Sequence, residues 1–89
     1  MDLSVLVEAG LGSTDISRVL SISRVTVSLW LNGHTNPHRL IAQRVGELLD
    51  TVKLAVEAGD LPVPHRIGRR ERAYYIKTVI DRHRAKADA

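Results

Sequence analysis

Cysteine and phenylalanine are absent from these 89 residues, and aromatic side chains are scarce, with one Trp and two Tyr. Without cysteine there is no disulfide framework and no Cys-ligated zinc, so a reducing, cytoplasmic compartment is the expected home. Long apolar runs are missing too. No stretch of about 18 apolar residues occurs, and the Met1-Asp2 start carries no basic n-region. The sequence therefore predicts neither a membrane span nor a signal peptide. With so few aromatics, the core has to be built from Leu, Val and Ile. Surface scaling leaves roughly 64% of the unfolded chain's area buried at this size, enough for one modest core and too little for a multi-layer enzyme fold.

Catalytic constellations are also lacking. There is no carboxylate pair at acid/base spacing, no Gly-rich phosphate loop after a strand, and no Ser-His-Asp set that one small fold would assemble. His34 and His38 stand at the i, i+4 spacing of a metal pair. Pro37 between them spoils the helical geometry and no third ligand is near, so no metal or other cofactor is expected.

What is present is a folded-domain composition, 44% hydrophobic and 26% charged, above the low hydrophobicity of disordered chains. The net charge of +3 is unevenly spread. Residues 1–61 hold five basic and seven acidic side chains, whereas residues 62–89 hold eight basic and three acidic. The sequence thus divides into a slightly acidic unit over 1–61 and a basic C-terminal part over 62–89. Across the boundary, Gly59-Asp60-Leu61-Pro62-Val63-Pro64 ends the fourth helical segment and reads as a stiff extended connector, because a residue before proline is steered away from helix.

Glycine and proline punctuate the chain into segments of helical length, and five helices are the natural reading. The first runs over 4–9, with Asp2 or Ser4 as its cap and Gly10 in the left-handed closing position. The second, over 14–20, aligns Ile16, Val19 and Leu20 on one face. The third, over 24–31, follows the N-cap Ser23 and stops at Asn32-Gly33. Its Val25, Val27, Leu29 and Leu31 alternate as in a half-buried strand, but Val27, Trp30 and Leu31 also fit i, i+3, i+4. The cap and stop signals favour helix. The fourth opens beyond Pro37, taken as a first-turn residue, and carries a seam of Ile41, Val45, Leu48, Val52 and Ala55. Leu40, Leu49 and Val56 widen that seam toward a partner, and Gly46 is a possible break. The last helix, over 69–86, is basic, with Tyr74, Ile76, Val79, Ile80 and His83 as its less polar positions and Tyr74-Tyr75 as a packing pair beneath it.

Residues 16–33 read Ile-Ser-x-x-Leu-Ser-Ile-Ser-x-x-x-Val-Ser-x-Trp-x-x-Gly. Two helices crossing over a turn of three or four residues need apolar side chains on both sides of the turn and a small residue at the closest approach. Ile16, Leu20, Ile22, Val27 and Trp30 supply the first requirement and Ser17 the second, which leaves the outer face of the second helix free to enter a major groove. Together with Gly33-His34-Thr35-Asn36-Pro37, this segment resembles the lambda-repressor/Cro-type helix-turn-helix family, without insertion or deletion over residues 9–37 and with a likeness that covers about residues 3–56. Ser17 stands where that family usually has Ala and Ser21 where it usually has the turn Gly, and residues 62–89 have no counterpart in the shared domain.

The resemblance implies an all-α, compact domain of four to five helices, a helix-turn-helix over 13–32 and a C-terminal basic helix. It also implies a dimeric, sequence-specific DNA-binding repressor of phage type in a bacterial or phage-infected cytoplasm. Arg24, Val25, Ser28, Leu29 and Asn32 fall on its base-facing positions, with Arg24 suited to a bidentate contact with guanine. Ser13, Thr14, Ser23, His34, Thr35, Asn36 and Arg39 fall where phosphates are held. Arg66, Arg69, Arg70 and Arg72 form a further cluster that reads as an auxiliary DNA or partner contact or as a solvated face. The apolar Val25 and Leu29 keep a second reading open: an antitoxin-like or adaptor module that holds another protein through its basic C-terminal helix.

Overall fold

A computed structural model describes residues 2–87, the side chains of 86 and 87 excepted. Among the described residues there are five helices and no strand: α1 (Ser4–Glu8), α2 (Ser13–Leu20), α3 (Arg24–Leu31), α4 (Arg39–Glu57) and α5 (Arg72–Ala87). No helix among the described residues is long and apolar enough to cross a membrane.

Local chemistry accounts for most of the boundaries. Asp2 accepts the Ser4 N–H at 2.9 Å beside the start of α1, and Gly10 takes φ +80° after its end. The α2 entry is fixed by Asp15, whose Oδ2 accepts the Gly12 N–H at 2.9 Å. Ser23 Oγ accepts the Val25 N–H at 3.2 Å and starts α3, while Gly33 at φ +76° lets the chain leave it. The start of α4 departs from the sequence expectation. Pro37 precedes the helix rather than occupying its first turn, and His38 is the cap, its Nδ1 accepting the Leu40 N–H at 3.2 Å. Gly46 does not break α4, which is continuous over its 19 residues. Nor does α5 begin at Arg69: residues 65–71 form turns, and helix starts at Arg72.

One core joins all five helices. Leu6, Ile16, Leu20, Val27, Trp30, Val45, Leu48 and Val52 are buried together with Leu61, Ile76, Val79 and Ile80. Helix α4 is the central element, covered by α1 on one side and by α5 on another, while α2 packs on α3 and also touches α5. The radius of gyration, 12.5 Å, fits a single unit of this length, for which compact packing gives about 12 Å. Ile76, Val79 and Ile80 of α5 thus share the core built by the first four helices. Tyr74 and Tyr75 do not form the expected packing pair: Tyr74 is 75% exposed, and Tyr75 alone packs against the core, with its hydroxyl donating to the Asp60 carbonyl at 2.7 Å.

Candidate nucleic-acid interface

The turn between α2 and α3 is three residues, Ser21, Ile22 and Ser23. Ser21 lies at φ 55°, ψ 46°, the left-handed conformation that glycine would adopt without strain. Ser17, one turn from the end of α2, answers this with its side chain. Its Oγ donates to the Ile22 carbonyl at 2.5 Å while the Ile22 N–H donates back to the Ser17 carbonyl at 3.1 Å. From α4, Arg44 Nη2 donates to the Leu20 carbonyl at 2.6 Å and closes the end of α2 against the central helix. Two of the family-pattern departures thus sit in one reciprocally bonded turn, and α3 is held at a fixed angle to the body behind it.

That turn decides which side of α3 faces out. Val27 and Trp30 enter the core, whereas Val25 is 68% and Leu29 39% exposed. Arg24, at the start of α3, and Asn32, just past its end, are exposed and Ser28 is half-buried, with Asn32 Nδ2 approaching Ser28 Oγ at 3.4 Å. A strand would have put Val25 and Val27 on one face; the helix separates them, so an apolar pair ends up in solvent. Arg24 makes no ion pair among the described residues.

Polar groups frame this face. After α3 the chain folds back, the His34 N–H donating to the Leu29 carbonyl at 3.0 Å, so the backbone of the loop is occupied and the side chains of His34, Thr35 and Asn36 are exposed. Ser23 uses its oxygen lone pair for the cap and keeps its O–H proton free to donate. Thr14 and Arg39 are exposed and Ser13 is half-buried at the start of α2.

The basic cluster of the C-terminal part divides. Arg72 is structural: its Nη1 meets Asp15 Oδ1 at 2.6 Å and its Nη2 donates to the Gly10 carbonyl at 2.9 Å. Asp15 is buried, and this pair together with the Gly12 N–H satisfies its carboxylate. Arg66, Arg69 and Arg70 are exposed. Sequence reasoning did not single out Arg18, which lines a cleft together with Arg69, because nothing local signals that α5 comes to lie beside α2. It also missed the anchor at the other end of α5. There His83, buried, approaches Asp60 Oδ2 at 2.7 Å through Nε2, and Arg82 adds a contact at 3.3 Å. The hydrogen bond from His83 lowers the Asp60 carboxyl below its ordinary value against the opposing effect of desolvation, with the Arg82 charge acting in the same direction as His83.

No protein-family model, curated protein or solved structure matches the chain. The functional reading accordingly stands on the chemistry of these surfaces.

Proposed function

We propose that the chain is a sequence-specific regulator that binds double-stranded DNA, a lambda-repressor/Cro-type repressor in which α2 and α3 form the helix-turn-helix. It would act in the cytoplasm of a bacterial or phage-infected cell. The observation that carries the reading is the outward face of α3: Arg24, Val25, Leu29 and Asn32 stand free of the core on a helix whose other side is locked into it. Such a face suits a major groove. Arg24 would take guanine O6 and N7, Val25 and Leu29 would pack on thymine methyls, and Ser28 and Asn32 would complete the edge contacts. Ser13, Thr14, Ser23, His34, Thr35, Asn36 and Arg39 would hold phosphates on either side and set the register. A homodimer would present two such helices to half-sites about 34–36 Å apart in a palindromic operator. No catalytic role and no cofactor enter this reading.

The exposed apolar pair on α3, which is unusual on a DNA-reading face, supports a second reading, an antitoxin-like or adaptor module that holds another protein through its basic C-terminal helix. Selection from a pool of randomised duplexes separates the two. The DNA-reading proposal expects an enriched motif whose preference over random sequence falls about 5- to 150-fold in Arg24→Ala, since a bidentate guanine contact is worth about 1–3 kcal/mol. A pool that shows no enrichment, or an enrichment indifferent to Arg24→Ala, overturns it.

A further inference from the structure

The body that carries the α3 face is short of cations: residues 1–61 sum to −2, and residues 62–89 hold the positive excess. In the fold, part of that excess comes back to the first unit. The turn segment before α5 and the first turn of α5 lie against the start of α2, and between them is a cleft of about 580 Å³ lined by Ser13, Thr14, Arg18, Arg69 and Arg72. A second cleft of about 390 Å³ shares Asp15, Arg18 and Ala73 and continues along the α2–α5 seam to Lys77 and Arg84. The charges along this seam are not equivalent. Arg72 is consumed by Asp15, and Lys77 approaches Asp81 at 3.8 Å. Arg18 and Arg69 have no acidic partner among the described residues, and they share the first cleft with Ser13 and Thr14.

We infer that this seam is a second grip on the phosphodiester backbone of duplex DNA, in which Arg18 and Arg69 pair with phosphates flanking the groove that α3 reads. The inference rests on the DNA-reading proposal and deepens it. Two unneutralised guanidiniums beside Ser13 and Thr14 match the fork geometry and donor chemistry that phosphate oxygens accept. The cleft is continuous with Ser13 and Thr14, so one backbone strand could run from those residues into the seam. Arg72 acts as the positioning residue. By binding Asp15 Oδ1 and the Gly10 carbonyl at once, it holds the arginine-bearing segment against α2. Specificity and bulk attraction are thereby assigned to different parts of the molecule: the α3 face for the first and the α2–α5 seam for the second.

The test measures binding of the full chain to a mixed-sequence duplex of about 20 base pairs over a salt series, for wild type, Arg18→Ala/Arg69→Ala and the control Lys53→Ala. Each phosphate contact contributes about 0.9 to the slope of log affinity against log salt, so the double variant should have a slope smaller by about 1.8. Raising salt fourfold then costs it about tenfold less affinity than it costs wild type, while Lys53→Ala follows wild type. Both arginines are exposed, and thermal melts of the variants establish that they are folded. Equal slopes for wild type and double variant overturn the seam and leave the DNA-reading proposal to its own Arg24 test. A reduced slope in a protein that enriches no motif from the randomised pool supports the seam as a backbone grip while the sequence-reading proposal fails. Binding of polyglutamate that depends on Arg18 and Arg69, with no binding of duplex DNA, overturns the assignment in favour of an acidic polypeptide.

Discussion

Ser21 is held in the left-handed region at φ 55°, where a side chain costs about 1 kcal/mol relative to glycine. The cost persists because the turn is over-determined: Ser17 Oγ bonds the Ile22 carbonyl and the Ile22 N–H bonds the Ser17 carbonyl. Two substitutions should consequently act in opposite directions. Ser21→Gly is expected to raise the unfolding free energy by up to about 1 kcal/mol, and Ser17→Ala to lower it by about 1 kcal/mol because the Ile22 carbonyl loses its side-chain donor. Urea denaturation of both variants checks this, and a stabilising Ser17→Ala would show that the hydroxyl contributes nothing to the turn. A residue that reads as a defect in the sequence is thus half of a pair, and its other half lies four positions earlier.

Among the elements, α4 offers the simplest prediction. Gly46 sits in its middle, and a Cβ built there meets nothing within 4 Å. Gly46→Ala should therefore stabilise the protein by about 1 kcal/mol, seen as a higher urea midpoint with an unchanged slope. Helix α5 depends on a different device. His83 and Arg82 converge on Asp60 at the foot of the α4–α5 connection, and the depressed carboxyl of Asp60 ties that anchor to pH. The depressed folded value means the stabilisation is complete above the ordinary carboxylate range, near 3.9, and disappears as pH falls through the lower folded value. Denaturation midpoints should drop more steeply in wild type than in Asp60→Asn as pH falls below about 5. Parallel curves for the two proteins would show that Asp60 is not the group being titrated. The boundaries of α2 and α3 were legible in the sequence because caps, glycines and apolar spacing act over one turn of helix. The Asp60 anchor and the start of α5 were not, since His83 lies 23 residues from its partner and the turns over 65–71 keep helix-compatible composition. Within the candidate site, exposure of Val25 and Leu29 followed from helical spacing once α3 was helical. The capture of Arg72 by Asp15, 57 residues away, had no local signature.

At the scale of the whole molecule, the charge asymmetry and the core divide the chain differently. Charge separates residues 1–61 from residues 62–89, yet Ile76, Val79 and Ile80 of α5 are each no more than 2% exposed within the same core as Val45, Leu48 and Val52 of α4. Full burial of an aliphatic side chain contributes about 1.5–3 kcal/mol, so these three together contribute on the order of 5–9 kcal/mol. The net stability of a domain of this length is itself about 5–13 kcal/mol. Cutting after residue 61 would also remove Arg72 from Asp15 and from the Gly10 carbonyl, so the entry to α2 loses its ion pair along with its cover. A chain ending there is expected to lose cooperative thermal unfolding and, with it, any motif preference in the randomised-duplex selection, even though every residue of the α3 face is retained. Circular dichroism melts of the truncated and intact chains make the comparison. A truncated chain that still melts cooperatively and still enriches the same motif would show that the first four helices fold alone and that α5 is an accessory rather than a wall of the core.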